Sequence, residues 1–195
     1  DIWPNLWKTP GEHPGDGIDN DGNGVIDDVH GYNAFDDNGN PSDGLSHGTH
    51  VAGTIGAVGN NGQGITGVMQ EDQMMAVKIF SDEGRTSTDV ILRGILYSQK
   101  MGARLTSNSW GGGRYSQAIY DAFAGHTGLH MIAAGNSARD NDRHDQFPAN
   151  FDLPNIITVA ATNHIDQRAG FSQWGATKVD VAAPGENILS TVPGG

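Results

Sequence analysis

From residue 46 onward, apolar positions recur with two periods. Behind Ser46, a residue that can cap a helix, Val51 and Ile55 stand four apart, so a helix is expected from His47 to about Gly56. Gly59 to Gly64 reads as a loop, and the run from Met74 to Phe80 reads as a buried strand. Ser87 or Thr88 can open a helix reaching about Met101. Its apolar positions Val90, Ile91, Ile95 and Leu96 follow the helical period, and Gly102 stops it. Leu105 to Ser109 is a candidate short strand, after which Gly111-Gly112-Gly113 breaks the chain. A helix is expected over Ser116 to Ala124, and strands over His130–Ala134, Ile156–Ala161 and Val179–Ala182, the last ended by Pro184-Gly185. Strands alternating with helices imply an α/β fold whose mostly parallel sheet is covered on both faces, a three-layer arrangement.

The first 45 residues break this rhythm. They are rich in Gly, Asp, Asn and Pro and have few apolar runs. Nine Asp, one Glu and one Lys fall there, so this stretch carries −9 of a net −12. The chain has 195 residues, a length expected to form one domain, with no internal repeat and no dividing linker. A charge of −12 argues against non-specific nucleic-acid binding, which needs a basic surface. No apolar run approaches the roughly 18 residues of a membrane span. With no Cys, disulfides and Cys-ligated zinc are excluded.

An acidic segment of this density repels itself unless a cation sits within it. The spacing from Asp16 to Asp28 supplies the donors. Asp19, Asp21 and Asn23 occupy positions 1, 3 and 5 of a calcium-type loop, with Gly24 at 6, the Val25 carbonyl at 7 and Asp27 at 9. Alternating side chains on one tight turn aim several oxygens at one hard cation. Position 12 is His30 rather than a bidentate Glu, and the flanks are glycine-rich, so this is not an EF-hand. Asp28 is the candidate to replace the missing ligand. The competing reading is a solvated Asp/Gly loop.

Chemistry of a different kind is concentrated in Ser46-His47-Gly48-Thr49-His50-Val51-Ala52-Gly53-Thr54. A histidine opening a helix can serve a nucleophile on another element, and the glycines allow close packing. On spacing alone a surface histidine or a metal pair, His47 with His50, remains open. No Glu stands between the two as in His-Glu-x-x-His zinc enzymes.

His47-Gly48-Thr49-His50-Val51-Ala52-Gly53-Thr54 resembles the catalytic-histidine motif of the subtilisin-like serine proteases, the subtilases. Four more blocks follow in that family's order. They are Ser107 to Gly112, Ala133 to Asn136, Phe147 through Ala161, and Phe171-Ser172-x-x-Gly175 with Val181 to Gly185. The resemblance implies a subtilisin-like fold and hydrolysis of polypeptides by a Ser-His-Asp triad. It makes His47 the general base and Asn136 the oxyanion donor. Ser109, Trp110 and Gly111 become the strand that pairs with substrate, and Ala133, Ala134 and Gly135 a wall of the specificity pocket.

Calcium-bearing members of the family imply two further sites. One uses Asp1, the carbonyls of Val58, Gln63 and Ile65, and the Asn61 side chain. The other uses Asp36 with Asn33, Asn38 and Asn40, giving one to three Ca²⁺ ions in all. The family's Gly-Thr-Ser-x-Ala-x-Pro nucleophile stretch and its Asp-Thr/Ser-Gly turn do not occur in these residues. The expectation is therefore an internal part of one catalytic domain, holding the base and the oxyanion donor and inactive alone. Its parent is expected to be a calcium-stabilised, secreted, monomeric serine endopeptidase. The alternatives are a catalytically dead calcium-binding homologue and, more remotely, a metallohydrolase built on His47 and His50.

Overall fold

Residues 1–194 are described by a computed structural model, in which the chain forms two units. The first comprises residues 1–101 with the terminal segment from Leu189; the second runs from Gly102 to Ile188.

In the first unit, β1 (Gly31–Asn33) and β2 (Ala76–Lys78) pair in parallel, with Tyr32 opposite Val77. β1 is a strand that hydropathy did not predict. Its first residue must be glycine, because φ is +136° and a β-carbon would collide with the Ala76 carbonyl. The run expected as a strand from Met74 to Phe80 is regular only over β2. Met74 bridges to Leu6, while Met75, Val77 and Ile79 pack on the core. α1 spans His47–Gly56 and α2 Thr88–Lys100, both close to expectation. From α2, Val90, Ile91, Ile95 and Tyr97 are buried, but Leu96 falls on the outer side and is exposed. Tyr97 stacks on Tyr32 at 4.8 Å, and the two join Ala34 and Val90 at the centre of the core. Helix and strand approach closely at Gly94, where a β-carbon would press on Ile79 and Val77.

The second unit holds a four-stranded parallel sheet in the order β3 (Leu105–Asn108), β4 (Leu129–Ala133), β5 (Ile156–Thr162), β6 (Val181–Pro184). β6 begins two residues later than expected. Asp180 instead ties the chain to β5, exchanging hydrogen bonds with the Thr158 backbone through its own amide and its carboxylate. α3 (Gln117–Gly125) is capped by Ser116, whose hydroxyl accepts from the Ile119 amide. Phe123 of α3 is fully buried against His130 of β4, the rings 4.6 Å apart. His130, Ile132 and Thr158 share that covered face. Helices with parallel strands place the chain in the α/β class.

Candidate functional site

The predicted residues fall in both units, and each group has its own framework. His47 opens α1 and is exposed. Ser46 sits at the capping position but with φ of +66° and no side-chain hydrogen bond. The cap comes instead from Asp43. Its carboxylate accepts from the Thr49 amide at 2.8 Å, the Thr49 hydroxyl at 2.7 Å and the Leu45 amide at 2.8 Å. Burial opposes ionisation of Asp43, yet these donors outweigh it and hold its pKa below the usual carboxylate value. On the other side of α1, Ser190 donates to the His50 carbonyl and Thr191 to the Thr49 carbonyl, at 2.5 and 2.7 Å. Gly53 permits this approach, because a β-carbon there would strike both hydroxyls. The histidine turn is thus clamped by the acidic loop before it and by the terminal segment.

In the second unit, Ser109 and Gly111 are exposed just past the end of β3. Trp110 is half-buried; its indole donates to Asn108 Oδ1 at 3.1 Å and stacks on Phe123 at 6.2 Å. The glycines that follow form a rim: Gly112 donates to the Phe147 carbonyl, and Gly113 bridges to the same residue. Ala133 ends β4 and is exposed, while Ala134 is buried with its amide on the Val159 carbonyl. Gly135 turns the chain with φ of +113°, and Asn136 follows it, exposed.

That turn rests on a buried amide network that the sequence reading missed. Gln173 donates its backbone amide to the Gly135 carbonyl and its side chain to Asn141 Oδ1. Asn141 in turn donates to the Ala134 carbonyl at 3.0 Å. The only signal for Gln173 was its place as an unspecified position in the Phe171-to-Gly175 block, next to Ser172, whose hydroxyl accepts from the Ala161 amide. Nearby lie His126 and His130, rings 4.7 Å apart and both buried; the sequence placed His130 only as a strand residue and did not single out His126. Burial, with His126 as a second cause, lowers His130 to about 4. Burial likewise lowers His126.

The acidic stretch is organised as three loops. Asp1 accepts from the Asn61 side chain at 2.9 Å and the Ile65 amide at 3.2 Å, its own carbonyl accepts from the Val58 amide, and Gln63 donates to Asn61 Oδ1. The residues predicted from residues 58–65 and from Asp1 therefore converge. Asn33 donates to Asp36 at 2.9 Å and exchanges backbone hydrogen bonds with Asn38, whose side chain accepts from the Asn40 amide. In the third loop Asp19 accepts from the amides of Asn23 and Gly24, and Asp27 from those of Gly15 and Gly17. The amides of Asn20, Asp21 and Asp27 converge on Glu12, a residue outside the predicted ligand set. Among the described residues, the one group of three acids or histidines close enough to share a cation is Glu12, Asp21 and Asp28. It includes neither His47 nor His50, so the metallohydrolase reading finds no third ligand there.

The family model described as the Subtilase family matches residues 5–194, and the chain belongs to the subtilase family. Among curated relatives, fervidolysin of Fervidobacterium pennivorans is 40% identical over 163 residues, covering 77% of this chain and 22% of that protein. Thermitase of Thermoactinomyces vulgaris is 35% identical over 167 residues, covering 85% of this chain and 58% of that protein. A crystal structure of a cold adapted subtilisin-like serine proteinase matches with a TM-score of 0.72 at 33% identity, covering 83% of this chain and 57% of that one. The fold is therefore subtilisin-like, and the chain spans less than two thirds of each of these proteins.

Proposed function

We propose that this chain contributes the general base and the oxyanion donor of a calcium-stabilised serine endopeptidase. The observation that carries the reading is His47 on the first turn of α1, held from both sides by Asp43 and by Ser190 and Thr191, in a chain that belongs to the subtilase family. In this mechanism His47 takes the proton from a serine hydroxyl as the oxygen attacks the peptide carbonyl. It then returns that proton to the leaving amine. Asn136 donates its side-chain amide to the developing oxyanion, from a turn whose geometry Gly135, Gln173 and Asn141 fix in advance. Ser109, Trp110 and Gly111 align the polypeptide by strand addition, and Ala133 to Gly135 line the side-chain pocket.

Calcium, when bound, supplies positive charge to loops that have little apolar core of their own. The donor chemistry fits, being carboxylate, amide and carbonyl oxygens throughout. Asp1 with Val58, Asn61, Gln63 and Ile65 would hold one ion, and the Asn33, Asp36, Asn38 and Asn40 turn another. The third belongs to the loop from Asp19 to Asp28. Extracellular location is part of the proposal, since weak calcium sites fill at external concentrations. The names of relatives do not choose, as they include a cell wall-associated and an intracellular protease. Among the described residues no helix is long and apolar enough to cross a membrane. Polypeptide is the proposed substrate and a monomer the proposed state.

The test is reaction of the intact protein with a serine-directed fluorophosphonate, alongside hydrolysis of an unfolded polypeptide. One label per chain together with hydrolysis is the expected result. Neither labelling nor hydrolysis would support a non-catalytic homologue instead.

A further inference from the structure

We propose that the cation of the acidic N-terminal region is held by Glu12, Asp21 and Asp28, a carboxylate set in which Glu12 and Asp28 form the buried floor. The inference rests on the calcium reading above and names the donors of one of its ions. Each of the three residues offers a carboxylate oxygen, and these atoms lie within 4.8 Å of one another. Oxygens this close are within reach of one shared cation after small side-chain adjustments.

A second observation points to a ligand independently. Asp28 is 0% exposed, and its Oδ1 has no hydrogen-bond partner in the protein. Its Oδ2, by contrast, accepts from Tyr97 and from the Asn23 amide, at 2.5 and 2.7 Å. A fully enclosed carboxylate oxygen without a partner is costly, and more so beside two other carboxylates. Glu12 is only 8% exposed. Lys100 donates to the Asn23 carbonyl at 2.6 Å, beside the same loop.

Asp19, Asp27 and Glu12 all accept from backbone amides of the loop, and of these three Glu12 is the one whose carboxylate oxygen lies within 4.8 Å of those of both Asp21 and Asp28. Asp21 is the exposed member of the set and lines a surface hollow with Trp7 and Asn23. Oxygen-only donors with several carboxylates suit calcium better than a softer metal.

The experiment is calcium titration calorimetry on the intact, chelator-stripped protein, with terbium luminescence excited through Trp and Tyr as a second readout. Glu12→Gln and Asp28→Asn should each lose one bound equivalent while retaining the others. Asp21→Asn, altered at an exposed residue that the fold tolerates, should weaken that equivalent at least tenfold. Asp19→Asn retains one of the two acceptor oxygens and should change it less than threefold. Unchanged stoichiometry and affinity in both Glu12→Gln and Asp21→Asn would overturn the proposal and leave the cluster sharing a proton. Loss through Asp19→Asn but not Glu12→Gln would also overturn it, returning the ion to the outer loop. The readout is metal stoichiometry, so a failure of the protease reading would leave it untouched.

Discussion

Asp43 caps α1 through Thr49, accepting from both its amide and its hydroxyl, although Ser46 occupies the position where a cap is expected. The relation lies two residues from His47 and so governs the frame of the proposed base. Replacing Asp43 with Ala should destabilise the protein by about 1–2 kcal/mol, the usual loss for a removed cap. Denaturant unfolding measures this. The pKa of Asp43 is lowered on folding, so its contribution is present above about 3.8 and is lost as pH falls through the lower folded value. The wild-type advantage over Asp43→Ala should therefore shrink below pH 4 and be constant from pH 5 to 7.

His130 predicts a loss of stability of the same sign, in a higher pH window. It is buried neutral, with its pKa lowered to about 4 from 6.5. The unfolded chain binds a proton that the native chain refuses, so its contribution is complete above pH 6.5 and is lost progressively down to pH 4. At roughly 1.36 kcal/mol per unit, the loss approaches about 3 kcal/mol. In His130→Leu the slope of unfolding free energy between pH 6.5 and 4 should flatten by that proton. An unchanged slope would contradict the buried, neutral state.

Chelation should lower thermal stability steeply. A site filled at a hundred times its Kd contributes about 2.7 kcal/mol. For a domain of this size, 1 kcal/mol moves Tm by about 2–4 °C. Three occupied loops therefore amount to roughly 16–32 °C, read from melting curves with excess calcium and with EDTA. Coincident curves would contradict calcium stabilisation.

The long apolar elements were legible because their packing is periodic: α2 buries Val90, Ile91 and Ile95 as its spacing required. β1 was not legible, since Gly31-Tyr32-Asn33 has no apolar run and is buried by a parallel partner 45 positions later. Leu96 fits the period by count but sits off the buried stripe. Motif resemblance singled out His47, Asn136 and the segment Ser109 to Gly111 as candidates, yet what supports them was invisible. Asp43, Gln173 and Asn141 act through hydrogen bonds to backbone, which leave no hydropathy signature. Glu12 escaped for a related reason. It lies seven residues before the predicted calcium-loop positions begin at Asp19 and reaches the loop only through the folded turn.

The central claim is that His47 moves the proton in peptide hydrolysis. It is tested most directly by kcat/KM of the intact protein and of His47→Ala against one peptide substrate, with Tm measured alongside. A fall of roughly four orders of magnitude or more at unchanged Tm is the predicted result. A fall of only about tenfold, with the fold intact, would contradict the role of His47 as the general base.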